Sequence, residues 1–423
     1  MKLTALYPRI FFIITIASVL VTSCQSPNQV TAPNLARTAA AETVTAMAVN
    51  PPTAKIAPQT TPTQTVMPTT TPVAASPTPQ DTATPTIGPT PVQLAYGPTN
   101  FPTNVDPLTG VIVSIPTLLD RRPLMIKVAN YPAIGRPHAG LSLADIVFEY
   151  WTGEGANRFM ALYYGKDSKQ VGPMRSGRLI DVQLVPMYQG ILGFVSAYQT
   201  IFAKIMNALG SRAITRAPST CPGICDDGSN TVISVFADTK ALSELATKNG
   251  VVNKRQNLDG MRFDPAVPAG GKTGDDLLVQ YSFYNRGEWR YDKASGTYLR
   301  WIENVDAKNN LTMIPLVDRL DNKQLAFNNV VVLFAYYIQY APSEHDVTVK
   351  DNTTGRRAIL YRDGRAYEGV WKSAGGDKPI QFFDAKGQPM AFKPGNSWFV
   401  FTGIYSTFDQ TDPGKWEMKF NLP

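Results

Sequence analysis

From Gln25 to about Ala95 the chain holds no Phe, Trp or Tyr, a single glycine at Gly88 and almost no charge, among Pro, Thr, Ala and Ser. Such a segment cannot bury enough apolar surface to offset its ordering entropy. Thr-Pro runs such as Thr60-Thr61-Pro62-Thr63 and Pro85-Thr86-Ile87-Gly88-Pro89 favour extended polyproline II, so residues 24–95 are expected to form a disordered, semi-stiff stalk. At about 3.1 Å per residue its contour limit is on the order of 200 Å. Composition changes abruptly near Tyr96, where aromatics, charges and glycines appear, and the folded part is expected beyond that point.

The stalk is preceded by an export signal. Lys2 and Arg9 supply a positive start, and Ile10 to Val21 form an apolar run too short to span a bilayer comfortably. Val21-Thr-Ser-Cys24 resembles the bacterial lipobox, which implies cleavage after residue 23 and a lipid on Cys24. The expected location is extracytoplasmic, with the membrane reached through the lipid anchor. Cleavage removes two positive charges, so the formal net charge of +7 falls to about +5. That excess suits an anionic cell-wall polymer, a lipid headgroup or an envelope protein, and an exported chain has little occasion to meet nucleic acid. The two remaining cysteines, Cys221 and Cys225, form a natural pair in an oxidising compartment. Three residues separate them, where a redox-active motif usually has two, so a structural disulfide shaping one turn is the reading.

The folded part reads as α+β, a mixed α/β domain over 108–252 followed by a mainly β domain over 260–423, joined by the polar stretch from Asn253 to Asp259. In the first, Pro123 to Asn130, Ala144 to Trp151, Arg158 to Tyr164 and Ile191 to Ala197 predict strands. Ser176 to Tyr188, Thr200 to Leu209 and Lys240 to Asn249 predict helices, the last capped by Asp238 or Thr239. In the second, short apolar runs punctuated by turn residues predict hairpins, with Asp363-Gly364 marking one turn.

Four strings carry a resemblance: Arg122-Pro-Leu-Met-Ile-Lys-Val-Ala-Asn130, Arg136-Pro-His-Ala-Gly-Leu-Ser-Leu-Ala-Asp-Ile-Val-Phe-Glu149, Glu154-Gly-Ala-Asn-Arg158 and Gly172-Pro-Met-Arg-Ser-Gly-Arg178. With Tyr361-Arg-Asp-Gly-Arg-Ala-Tyr-Glu-Gly-Val-Trp371 and Gly395-Asn-Ser-Trp398 they resemble the YerB-like lipoprotein family, over about Arg121 to Gly403. The resemblance implies an exported two-part protein of unknown function, with no assigned reaction or ligand. Where many members have a His-Ala-Gly-Gly-Ser-like string, this chain has Gly193-Phe-Val-Ser-Ala-Tyr198, so no chemistry resting on that histidine is carried over.

Only His138 and His345 are available, which excludes a His-rich metal site, and no nucleophile elbow, phosphate loop or zinc-protease signature occurs. No cofactor is expected. His138 reads as a surface or loop-packing residue, and His345 as solvent-facing. The aromatics Trp289, Tyr291, Trp301, Trp371 and Trp398 read mostly as core. The richer constellation is charged: Arg136, Asp145, Glu149, Glu154, Arg158, Arg175 and Arg178, interleaved with glycines. The period of two puts Asp145 and Glu149 on one strand face, with Arg158 and Arg175 as expected partners.

Three readings stay open. The charges could be an ion-pair network bracing the strands. Alternatively, Gly172-Pro-Met-Arg-Ser-Gly-Arg178 could lead into a helix and hold an anionic ligand through its amides, Arg158, Arg175, Ser176 and Arg178. In the third, Glu149 and Glu154 act as acid and base of a hydrolase on cell-wall material. The binding module is the leading expectation, and whether the chain is an enzyme stays open.

Overall fold

Leu124–Ala129 (β1), Ile146–Gly153 (β2), Asn329–Ala335 and Ser397–Gly403 are mostly apolar, and in the computed structural model each is a strand buried along its whole length. A strand with no exposed face belongs inside a sheet covered on both sides. All four lie within one eleven-stranded sheet. The structure describes residues 94–422 except 230, 342 and 343. The signal segment, Cys24 and nearly all of the expected stalk therefore lie outside the described residues.

The order across this sheet explains why its two halves cannot separate. It runs Gln381–Phe383, Arg365–Lys372, Arg356–Arg362, Asn329–Ala335, Ser397–Gly403, β2, Ala156–Tyr163 (β3), β1, Ile191–Phe194 (β4) and Ala213–Thr215 (β5), with Lys272–Thr273 attached beside it. Ser397–Gly403 lies parallel to Asn329–Ala335 on one side and to β2 on the other, the second seam running from Ile146↔Ser397 to Glu149↔Val400. The stretches 108–252 and 260–423, expected as successive domains, thus contribute strands to one sheet. The reason is that β2 and Ser397–Gly403 each have two apolar faces, and neither can stand at an edge without exposing backbone and side chains.

A second sheet of seven strands comes wholly from the C-terminal stretch, in the order Leu311–Pro315, Thr297–Val305, Asn285–Asp292, Asp276–Ser282, Lys415–Lys419 and Thr407–Asp412, with Ala326–Phe327 paired to Thr297–Val305. Its hairpins follow the turn chemistry, as does the Arg362↔Arg365 hairpin around Asp363-Gly364. Strands dominate the described residues, and their α-helices all come from 181–248: Asp181–Met187 (α1), Gln199–Leu209 (α2) and Thr239–Lys248 (α3). Asp238 caps α3 by accepting from the Ala241 amide at 3.0 Å. Cys221 and Cys225 are joined by a disulfide.

The helix expected from Ser176 starts five residues later, at Asp181. Its forerunner is held open by cross-chain backbone bonds: the Arg175 amide donates to the Lys127 carbonyl, Val195 to Arg175, and Gly177 to Ser196. These ties to β1 and to the end of β4 replace the helical ladder that the sequence pattern anticipated.

Candidate functional site

Lys127 is the residue out of place in β1, an ammonium between Ile126 and Val128 in a strand with no exposed position. It lies fully buried against Asp181 of α1 (2.7 Å, neither side chain exposed) and over the Tyr150 ring, 4.6 Å from its centroid. The Tyr150 hydroxyl donates to the same Asp181 oxygen, and the Arg178 amide donates to the other at 2.8 Å. Register places Arg158 of β3 opposite Tyr150 and Ala129, on the strand face that carries Lys127. The Arg158 guanidinium donates to the Ser176 carbonyl at 3.4 Å, which brings Arg158, Ser176, Arg178 and Arg175 into one neighbourhood.

The electrostatics of that neighbourhood are one-sided. Burial, then the charges of Arg178 and Arg175, hold the Arg158 guanidinium well below its ordinary range, while Asp181 works the other way. Burial lowers Arg175 as well, with Arg178 as the second cause, and burial lowers Arg178 against the pull of Asp181. Lys127 is brought down to about 8 by burial, with Arg178 and Arg158 adding to it and Asp181 opposing. Among the described residues none of the three guanidinium groups forms an ion pair within 4 Å, although the Lys127 ammonium does. The Nε atoms of Arg175 and Arg178 are buried without a partner. Lys127, Arg158 and Arg178 thus share the field of the single Asp181 carboxylate, and Arg175 adjoins Arg178 and Arg158.

The amides of this loop do not contribute. Those of Met174, Arg175 and Gly177 are committed to Val235, Lys127 and Ser196, and that of Arg178 to Asp181. The expected helix-terminus site is therefore not formed by these amides, because Asp181 fills the place an anion would take at the start of α1.

Glu149 has a different setting. It faces away from the arginines and is fully buried, with Arg300 at 3.2 Å, Trp398 Nε1 donating at 2.6 Å and the Asn157 carboxamide donating to its other oxygen. The Arg300 guanidinium lies over the rings of Trp289 and Trp398, 4.9 and 5.3 Å from their centroids. A Cβ at Gly287 would collide with it, so glycine is what lets the strands close on this pair. The expected partners of the strand carboxylates, Arg158 and Arg175, are thus replaced by Arg300. The pairing needed a residue 151 positions away in sequence, which no local pattern specifies.

Asp145 also has no arginine partner of the expected kind. It accepts the amides of Tyr164 and Gly165, and burial raises it to about 6 beside Asp106. Asp106 is held well above the usual carboxylate range, first by burial and then by Asp145. Arg136 pairs with Glu303 at 2.7 Å. His138 is enclosed with Nε2 on the Ala129 carbonyl at 2.6 Å, and burial brings it down to about 3, so it stays neutral. His345, expected to face solvent, is buried at the edge of the Trp151 ring because its hairpin folds back over β2. Glu154 stands exposed in the Gly153–Gly155 turn with φ +52°. Trp289, Trp371 and Trp398 are core, as expected.

A strand-rich fold whose two halves share a sheet and a buried ion pair, with an unneutralised arginine cluster beside it, is the class of protein these observations define. A family model described as the N-terminal domain of a protein of unknown function (DUF3048) matches residues 108–252, and its C-terminal counterpart matches 277–399. The chain belongs to this family. It is 26% identical over 305 residues to YerB of Bacillus subtilis (strain 168), a protein described as a lipoprotein, covering 69% of this chain and 84% of YerB. The crystal structure of the YerB protein from Bacillus subtilis has the same fold, with a TM-score of 0.58 at 24% identity over 70% of this chain and 96% of that one. The resemblance to YerB-like proteins read from the sequence is thus the right family. Among the described residues no helix is long and apolar enough to cross a membrane.

Proposed function

We propose that this chain is a lipid-anchored envelope protein, held through Cys24, that binds an anionic ligand with Arg158, Arg175, Arg178 and the Ser176 hydroxyl. One observation carries the reading: three half-buried guanidinium groups sit together with no ion pair of their own, and only Asp181, already bonded to Lys127, offsets them. Structural arginine clusters are ordinarily laced with carboxylates, since uncompensated buried charge is costly. A phosphate or carboxylate presents the planar, bidentate acceptor that such forks match. Ser176 adds a hydroxyl that makes no hydrogen bond among the described residues. The export signal and the family likeness to a protein described as a lipoprotein support the location.

Geometry does not favour the carboxylate-dependent hydrolase. A general acid or base must exchange a proton with substrate or water. Glu149 is enclosed and engaged by Arg300, Trp398 and Asn157, which leaves it no access to either.

The test is capture of a purified anionic wall polymer by the full-length chain, wild type against Arg175→Ala. Saturable binding that weakens with salt and falls about tenfold in a variant of unchanged circular dichroism is the expected result. Capture indifferent to Arg175→Ala would remove the arginine cluster from the ligand site.

A further inference from the structure

Asn157 and Arg158 are neighbours on β3, so their side chains leave the strand on opposite faces. On the Asn157 side a groove of about 840 Å³ runs between the β2–β3 turn, the segment from Asn130 to Pro137 and the strands Thr297–Val305 and Leu311–Pro315. That volume falls within the range of roughly 300–1,000 Å³ typical of small-ligand sites. The arginine cluster does not line it.

Three features of the wall indicate the chemistry it would take. Its charges are largely neutralised: Arg136 pairs with Glu303 at 2.7 Å, and the other Glu303 oxygen accepts the Arg286 amide at 3.0 Å. Glu154 is the remaining lining charge, so the groove offers an anion nothing. Its polar groups are largely carboxamides. Asn130, only 2% exposed, donates to Asn157 at 2.6 Å while its own Oδ1 has no partner, and Asn304 is exposed on the opposite wall. Its exposed apolar surface holds two aromatic rings beside Ile314: Tyr131 is 61% and Tyr284 56% exposed, the latter braced edge-on by Phe283 at 4.8 Å. Flat rings with polar tips, beside amides that donate and accept together, match a ligand with apolar C–H faces and a rim of hydroxyls.

We infer that this groove binds an uncharged glycan segment, with the sugar faces against Tyr131 and Tyr284 and hydroxyl or acetamido groups on Asn130, Asn304 and Glu154. The site is separate from the arginine cluster and does not rest on it. Because the Glu154-to-Arg158 segment serves both, a wall polymer carrying sugars and anionic groups would meet adjacent residues of one strand on its two sides.

The experiment is calorimetric titration of the full-length protein with chitotetraose, an N-acetylglucosamine tetramer, and with maltotetraose as a second uncharged probe. Saturable binding of either is expected, weakened about tenfold in Tyr131→Ala/Tyr284→Ala, a loss of about 1.4 kcal/mol. Asn304→Ala, an exposed position with no bond to lose, should weaken binding too and serves if the double variant fails to fold. Arg175→Ala should change sugar affinity by less than about twofold, since distant sites act independently. No saturation with either sugar at millimolar concentration, or binding unchanged in the tyrosine and asparagine variants, would overturn the inference.

Discussion

The two faces of β3 hold charge on opposite terms. On one, Glu149 is met by Arg300, Trp398 and Asn157, and the guanidinium that answers it lies over the rings of Trp289 and Trp398. On the other, Arg158, Arg175 and Arg178 lie together, and the aspartate that Arg158 and Arg178 feel is already engaged by Lys127. Both sets looked alike as a charged, glycine-interleaved constellation. What separates them is the account of charge: the Glu149 carboxylate has its counter-charge in Arg300 within the fold, whereas the three guanidinium groups have no ion pair of their own, and the proposed ligand would supply it. Breaking a pair of the first kind leaves a buried charge uncompensated, while repulsion of the second kind is what the proposed ligand would relieve.

The largest effect should come from breaking the completed side. Glu149→Gln leaves Arg300 buried without its counter-charge and should cost about 3–5 kcal/mol, read as a lowered midpoint in urea denaturation. Adding Arg300→Met should recover part of that loss, because the pair becomes apolar together. A Glu149→Gln protein of unaltered midpoint would show that the seam between the halves does not depend on the pair.

Asp106 and Asp145 sharpen the same contrast through pH. Burial holds both carboxyls above the ordinary value of 3.8, Asp145 at about 6, so the folded chain keeps protons that the unfolded chain releases. The stability this contributes is full below about pH 4; the share of Asp145 is lost as pH rises through about 6, and that of Asp106 as pH rises through its own raised value. Asp106→Asn removes one of the two competing charges, and should flatten that dependence and raise the melting temperature at pH 7. A pH profile identical to wild type would refute it.

A smaller effect is expected at the disulfide. Cys221→Ser/Cys225→Ser opens a loop of very few residues, so the cost should be about 2 kcal/mol or less by loop-closure entropy. Thermal melting with and without reductant measures it. The smallest change in stability belongs to the incomplete side: Arg175→Ala should leave the folding free energy within about 0.5 kcal/mol of wild type or improve it, since it removes mutual repulsion. A large loss of stability in this variant would make the cluster structural and erase the contrast.

Local pattern carried much of the architecture. Strands at β1, β2 and β3 were legible from β-branched and aromatic runs, α3 from Asp238, and the Asp363-Gly364 hairpin from its turn. The α1 start was not, because the residues from Ser176 onward trade helical bonds for bonds to β1 and the end of β4. Lys127 was missed as a site residue even though its signal was present, a lone ammonium inside an apolar strand. Arg300 left no comparable mark, as an alternating strand ordinarily carries arginine on its solvent side.

By itself, then, the sequence determined the family, the short-range elements and a set of charged residues worth inspecting, because periodicity, capping and turn chemistry act over a few residues. Only tertiary structure decided that Ser397–Gly403 inserts beside β2 and that Glu149 belongs to Arg300, leaving three guanidinium groups without an ion pair of their own. Those outcomes depend on which strands become neighbours and which strand face each side chain takes. Both are set by burying two-faced apolar strands together across more than two hundred residues of chain.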